Sequence, residues 1–65
     1  MIMLDMEKTE RLALSEGWSL AELQRRAGLA NTTLYKLAAG ACKPRATTVG
    51  RIAKALGVNP TELVK

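Results

Sequence analysis

Hydrophobic positions recur at helical spacing along this chain, and no run alternates as a strand would require. Leu20, Leu23 and Ala27 share one face of a helix that opens at Ser19, and Leu34 and Leu37 share one face of the next. Val49, Ile52, Ala53 and Leu56 then follow at intervals of 3, 4 and 7. Gly17, Gly28, Gly40 and Gly57 each come after such a run, where a left-handed residue closes a helix. The pattern predicts five short helices.

The first helix runs from about Asp5 to Ser15, with Asp5, Glu7 and Glu10 early, where they favour its dipole. The second begins at Ser19, and Glu22 three residues on completes a capping box. The third begins near Ala30 or Asn31, Asn31 being the better cap by residue preference. The fourth covers about Ala46 to Leu56. The fifth is short, with Asn59 as cap, Pro60 in its first position and Glu62 closing a second capping box. The fold class expected is all-α: a compact five-helix bundle, one domain over residues 1–65. The turn at Gly28 is too short for the second and third helices to stack side by side. They should cross steeply as a helix-turn-helix, with the third along one edge.

A chain of 65 residues buries only about 60% of the surface its unfolded form exposes. Its stability must come from helix packing, helped by a partner subunit. Cys42 is the single cysteine and there is no histidine, which excludes an internal disulfide and argues against a metal site. The same shortage excludes an imidazole-based triad. Cys42 has Lys43 beside it but no partner base, so a passive loop thiol is expected. No glycine pattern cradles phosphate, and neither a cofactor nor a small-molecule ligand is implied. The chain does not read as an enzyme. Met1-Ile-Met-Leu is too short for a signal peptide, and no apolar run approaches membrane-spanning length. Cytoplasmic localisation is expected, and a lone cysteine fits a reducing compartment.

Charge changes the picture more than composition does. The net charge is +4, but residues 1–22 carry five acids and two bases, net −3, whereas residues 23–65 carry eight bases and one acid, net +7. Between Glu22 and Glu62 there is no acid, and there are seven bases: Arg25, Arg26, Lys36, Lys43, Arg45, Arg51 and Lys54. A polyanion is the natural partner of such a segment. One Trp, one Tyr and no Phe give no aromatic platform for stacking single-stranded bases. The helix-turn-helix spacing around Gly28 is what points to double-stranded DNA as the partner.

The run Trp18 to Leu37, the loop Gly40-Ala-Cys-Lys-Pro-Arg and the segment Arg51-Ile-Ala-Lys-Ala-Leu-Gly-Val-Asn-Pro-Thr-Glu-Leu resemble phage repressor and Cro-type helix-turn-helix regulators of the Xre type. The resemblance spans about Leu12 to Val64. It implies a lambda-repressor-like domain whose third helix enters the major groove. It also implies that Asn31, Thr32 and Lys36 face base edges, with Thr33 and Tyr35 beside them. Ser19 falls where family members contact a phosphate, and Lys43 and Arg45 fall in a loop that often grips the DNA backbone.

The chemistry of those side chains suits the roles. Asn31 can pair with adenine N6 and N7, Lys36 can donate to guanine O6 or N7, and Thr32 and Thr33 offer hydroxyls and methyls. The Tyr35 hydroxyl can reach a phosphate. Each also has an ordinary reading: Asn31 as a helix cap, Lys36 as a solvated charge, Tyr35 as a partly buried ring. Trp18 reads as a core or hydrophobic-staple residue. Arg25 and Arg26 suit the helix dipole late in the second helix, and Arg51 and Lys54 read as the outer face of the fourth.

The chain departs from the family pattern in several places. Ala13 and Ala38 stand where an Arg–Glu pair is usual, so neither charge is stranded. Leu20 replaces a common DNA-touching Gln, and Gln24 stands where a small Ala lets the second and third helices approach. Gly50 weakens the fourth helix by roughly 1 kcal/mol relative to Ala.

The resemblance implies a sequence-specific transcriptional regulator of repressor or Cro type, of phage or prophage kind, acting by occupancy. Useful specificity calls for a homodimer on a pseudo-palindromic site, its half-sites about one helical turn apart. Val58 and the fifth helix are the candidates for the dimer contact. The alternatives are a DNA-binding antitoxin that also grips a partner protein, a protein-interaction module that has lost DNA reading, and a nonspecific chromosome-coating protein.

Overall fold

The computed structural model describes residues 3–30, 32–40 and 43–65, and Asn31 and Cys42 lie outside the described residues. Four α-helices follow one another: α1 (Met6–Ser15), α2 (Leu20–Arg26), α3 (Thr33–Ala38) and α4 (Ala46–Leu56). The expected fifth helix is a single 3-10 turn, Pro60–Leu63. Four residues leave no room for an α-helical hydrogen-bond ladder, so the segment closes with the tighter i→i+3 pattern.

The local signals in the sequence act as expected at most helix ends. Asp5, expected as an early helix residue favouring the dipole, stands one place before α1 as its cap and accepts the Lys8 N–H at 3.1 Å. The Asn59 capping box is complete: its side chain accepts from Thr61 N at 3.0 Å, and Glu62 returns a bond to Asn59 N at 3.1 Å. Gly17, Gly28, Gly40 and Gly57 all take positive φ.

Two expectations need correction. The Ser19–Glu22 box is only half formed. The Ser19 hydroxyl accepts from Glu22 N at 3.2 Å, but the Glu22 carboxylate turns to Arg25 and Arg26, at 2.6 and 2.8 Å. Two cations at i+3 and i+4 outcompete one backbone N–H for that carboxylate. The third helix also starts later than Ala30 or Asn31. Its cap position is Thr32 and its first residue Thr33, because Ala30 is spent in a turn whose carbonyl accepts Thr33 N at 3.1 Å.

The core gathers one stripe from each element. Leu23 of α2, Leu34 of α3, Ile52 of α4 and Leu63 of the 3-10 turn are fully buried, with Ala13, Val49 and Ala53 around them. Leu4, Met6, Leu12, Trp18 and Val58 pack against this centre while partly exposed. The chain ends are stitched together beside it. An antiparallel bridge joins Leu4 to Val64, with Asp5 N on Leu63 O at 2.7 Å and Lys65 N on Met3 O at 2.9 Å.

Gly50 has ordinary helical geometry, and a Cβ built there would meet nothing within 4 Å. Gly50→Ala is therefore expected to stabilise the domain by about 1 kcal/mol, through the lower entropy of the unfolded chain. For a domain of this size that raises Tm by roughly 4–8 °C. A fall in Tm in a thermal melt would show that space at Gly50 is needed.

Candidate nucleic-acid interface

The segment from Ser19 to Ala38 is built around Gly28. α2 ends in a Schellman closure: Gly28 N bonds Arg25 O at 3.2 Å and Leu29 N bonds Gln24 O at 2.9 Å. Gly28 takes φ 71° there, a conformation that would strain a residue bearing a Cβ. Its carbonyl is capped by the Arg51 guanidinium of α4 at 3.2 Å. The chain then turns through Leu29 and Ala30 into α3.

α3 presents two different faces. Leu34 and Leu37 go into the core. Thr32, Tyr35 and Lys36 are exposed and Thr33 is half-buried, with the Tyr35 side 51% exposed. Thr32 and Thr33 stand one helical turn from Lys36, so the three share the outer side of α3. A cleft of about 410 Å³ continues that surface onto the next segment, lined by Thr33, Leu37, Lys43, Pro44, Arg45 and Thr48. The structure thus brings together Thr33, Lys43 and Arg45, three of the residues singled out in the sequence. Ser19 stands apart from them, exposed at the start of α2, where its hydroxyl oxygen serves as the helix cap. Asn31, the adenine-reading candidate, lies outside the described residues.

Ion pairing sorts the bases. Arg25 and Arg26 both bind Glu22, and the Arg26 guanidinium carbon also lies 4.4 Å from the centre of the Trp18 ring. Hydrogen bonding by Arg25, with smaller help from Arg26, holds the Glu22 carboxyl below its ordinary pKa. The pair's small contribution is therefore present above the ordinary carboxylate range and fades as pH falls through the lowered value. Arg51 is occupied by the Gly28 carbonyl. Lys36, Lys43, Arg45 and Lys54 form no ion pair among the described residues. Trp18 is half-buried, as a residue packed on the core should be. Its contact with the Arg26 guanidinium adds to that core role. The i, i+4 spacing of Glu22 and Arg26 was readable, but Trp18 lies outside α2, ahead of its extended cap Ser19, where helix spacing says nothing.

Gln24, which departs from the small residue usual at its place, has a role that its residue type does not reveal. Where a small residue was expected to let α2 and α3 approach, the Gln24 side chain is 2% exposed and its Oε1 accepts the Leu34 N–H at 2.7 Å. Leu34 occupies the second position of α3, and its N–H is one of the donors an α-helix leaves unpaired at its start. Thr32 forms no side-chain cap bond, so this donor is satisfied from the neighbouring helix.

Residues 8–63 match the family described as Helix-turn-helix. The chain belongs to the helix-turn-helix family. This agrees with the Xre-type resemblance of the sequence and makes the chain a DNA-binding regulator. The crystal structure of the hypothetical transcription factor NHTF from Neisseria superposes with a TM-score of 0.86 at 24% identity, covering 97% of this chain and 72% of that one. At that identity the likeness speaks for a shared helix-turn-helix fold. No curated protein sequence matches the chain. Among the described residues, no helix is long and apolar enough to cross a membrane.

Proposed function

We propose that this helix-turn-helix domain is a sequence-specific transcriptional regulator of repressor or Cro type, which reads the major groove of double-stranded DNA with α3. The observation that carries the reading is the division of labour among its bases. Lys36, Lys43 and Arg45 are unpaired among the described residues and border the outer side of α3 and its following loop, whereas Arg25, Arg26 and Arg51 are bound within the protein. On this reading Thr32, Thr33 and Lys36, with Asn31, contact base edges. Lys43, Arg45, Tyr35 and Ser19 contact phosphates. Each phosphate neutralised adds about −0.9 to the slope of log affinity against log salt.

One α3 reads only a few base pairs, so the protein acts as a homodimer on a pseudo-palindromic site and regulates by occupancy. The dimer contact falls to Val58 and the C-terminal turn. Support for this comes from an apolar cleft of about 230 Å³ between α4 and that turn, lined by Ala46, Val49, Pro60, Thr61 and Val64. A protein-docking role in place of DNA reading finds less support. Met3, Leu14 and Tyr35, the exposed large apolar residues among those described, stand on three different segments.

Selection from a randomised duplex pool at near-physiological salt tests the reading. Enrichment of a two-fold-symmetric motif is expected. A folded protein that leaves the pool unenriched would sink it in favour of nonspecific coating or a protein partner.

A further inference from the structure

Three features make α3 unable to hold its own start. It has six residues, far fewer than the roughly 12–15 an isolated helix needs in water. Its cap residue, Thr32, forms no cap hydrogen bond, and its first turn contains no acid. Yet the side chains just before Leu34 are Thr32 and Thr33, two of the base-reading candidates.

We propose that Gln24 is the positioning residue of the reading helix: by gripping the Leu34 amide it fixes Thr32 and Thr33 relative to α2, and so sets sequence preference without touching DNA. The inference rests on the reading of α3 as the DNA-contacting helix. Gln24 acts on both sides of the turn. Its backbone carbonyl accepts Leu29 N at 2.9 Å, which sets how the chain leaves α2. Its side chain accepts Leu34 N at 2.7 Å, which sets where α3 begins. The second bond is buried, so losing the acceptor leaves a donor that water cannot readily reach. The first turn of α3 is then open most of the time, and affinity falls in proportion to the fraction of correctly formed helix. Lys43 and Arg45 lie beyond α3 and keep their phosphate contacts in either state.

Specific and nonspecific binding therefore separate. Gln24→Met keeps the length and apolar burial of the side chain and removes the acceptor. It is expected to weaken binding to the selected duplex by roughly 5- to 150-fold, leaving affinity for random duplex and the salt slope unchanged. Gln24→Glu keeps an acceptor oxygen in either protonation state and is expected to restore much of the preference. Amide exchange adds a readout that needs no DNA and, in the wild type, no substitution: Leu34 N–H should be protected despite its place in a first turn, and exposed in Gln24→Met.

A rapidly exchanging Leu34 amide in the wild type overturns the inference even if Gln24→Met fails to fold. Equal weakening on selected and random duplex overturns it too, since that is what general destabilisation gives. If the wild type selects no sequence at all, the reading of α3 has failed and the inference falls with it. The Leu34 exchange rates would then report only on the capping bond.

Discussion

Leu34→Ala is expected to cost about 2–5 kcal/mol of stability, the range for removing a fully buried leucine side chain. A domain of 65 residues has roughly 3–10 kcal/mol in total, at 0.05–0.15 kcal/mol per residue. The substitution should therefore take the domain close to its unfolding midpoint or past it. Leu34 is 0% exposed and comes from a six-residue helix with one other buried side chain, Leu37. Urea unfolding followed by circular dichroism measures the loss, and a change under 1 kcal/mol would mean that Leu34 is not a core residue in solution. Cognate duplex should return part of the helical signal. A ligand at about 100 times its Kd stabilises the folded state by about 2.7 kcal/mol. That recovery separates a domain that is merely unstable from one whose recognition surface is lost.

How much of this was legible depends on how far apart the interacting groups stand in sequence. The Asn59–Glu62 box and the glycine closures are completed within a few residues, so residue type at fixed offsets was enough. α4 was bounded correctly because its apolar stripe and its flanking residues agree. The Ser19–Glu22 box failed on the same local scale, since the pattern does not reveal that Arg25 and Arg26 compete for one carboxylate. The role of Gln24 was hidden for a different reason. Its partner is ten residues away on another helix, and propensity carries no information about such a bond. The bridge between Leu4 and Val64 is further still, since it exists only once the four helices have brought the chain ends together. Of the candidate site, the outward position of Thr32, Tyr35 and Lys36 was readable from the inward period of Leu34 and Leu37. Which arginines are free was not, because that is decided by Glu22, Trp18 and the Gly28 carbonyl.

Lys36→Ala is expected to weaken binding to the selected duplex by roughly 5- to 150-fold per half-site, the 1–3 kcal/mol of one good base contact. The loss should be concentrated at one base-pair position in each half-site, where preference flattens. Stability gives no competing explanation. Lys36 is exposed, forms no ion pair among the described residues, and alanine is at least as good a helix former. Lys43→Ala supplies the contrast. It lies in the loop after α3, on the cleft it shares with Thr33 and Arg45, and its proposed partner is a phosphate that every sequence offers. It should weaken selected and random duplex alike and make the salt slope shallower by about 0.9 per subunit. The two variants remove the same charge, so net electrostatic attraction alone would make them behave identically. Different base preference in titrations at two salt concentrations is what separates reading from gripping. If Lys36→Ala instead lowers affinity equally for all sequences, Lys36 is a phosphate contact and base recognition passes to the threonines at the start of α3.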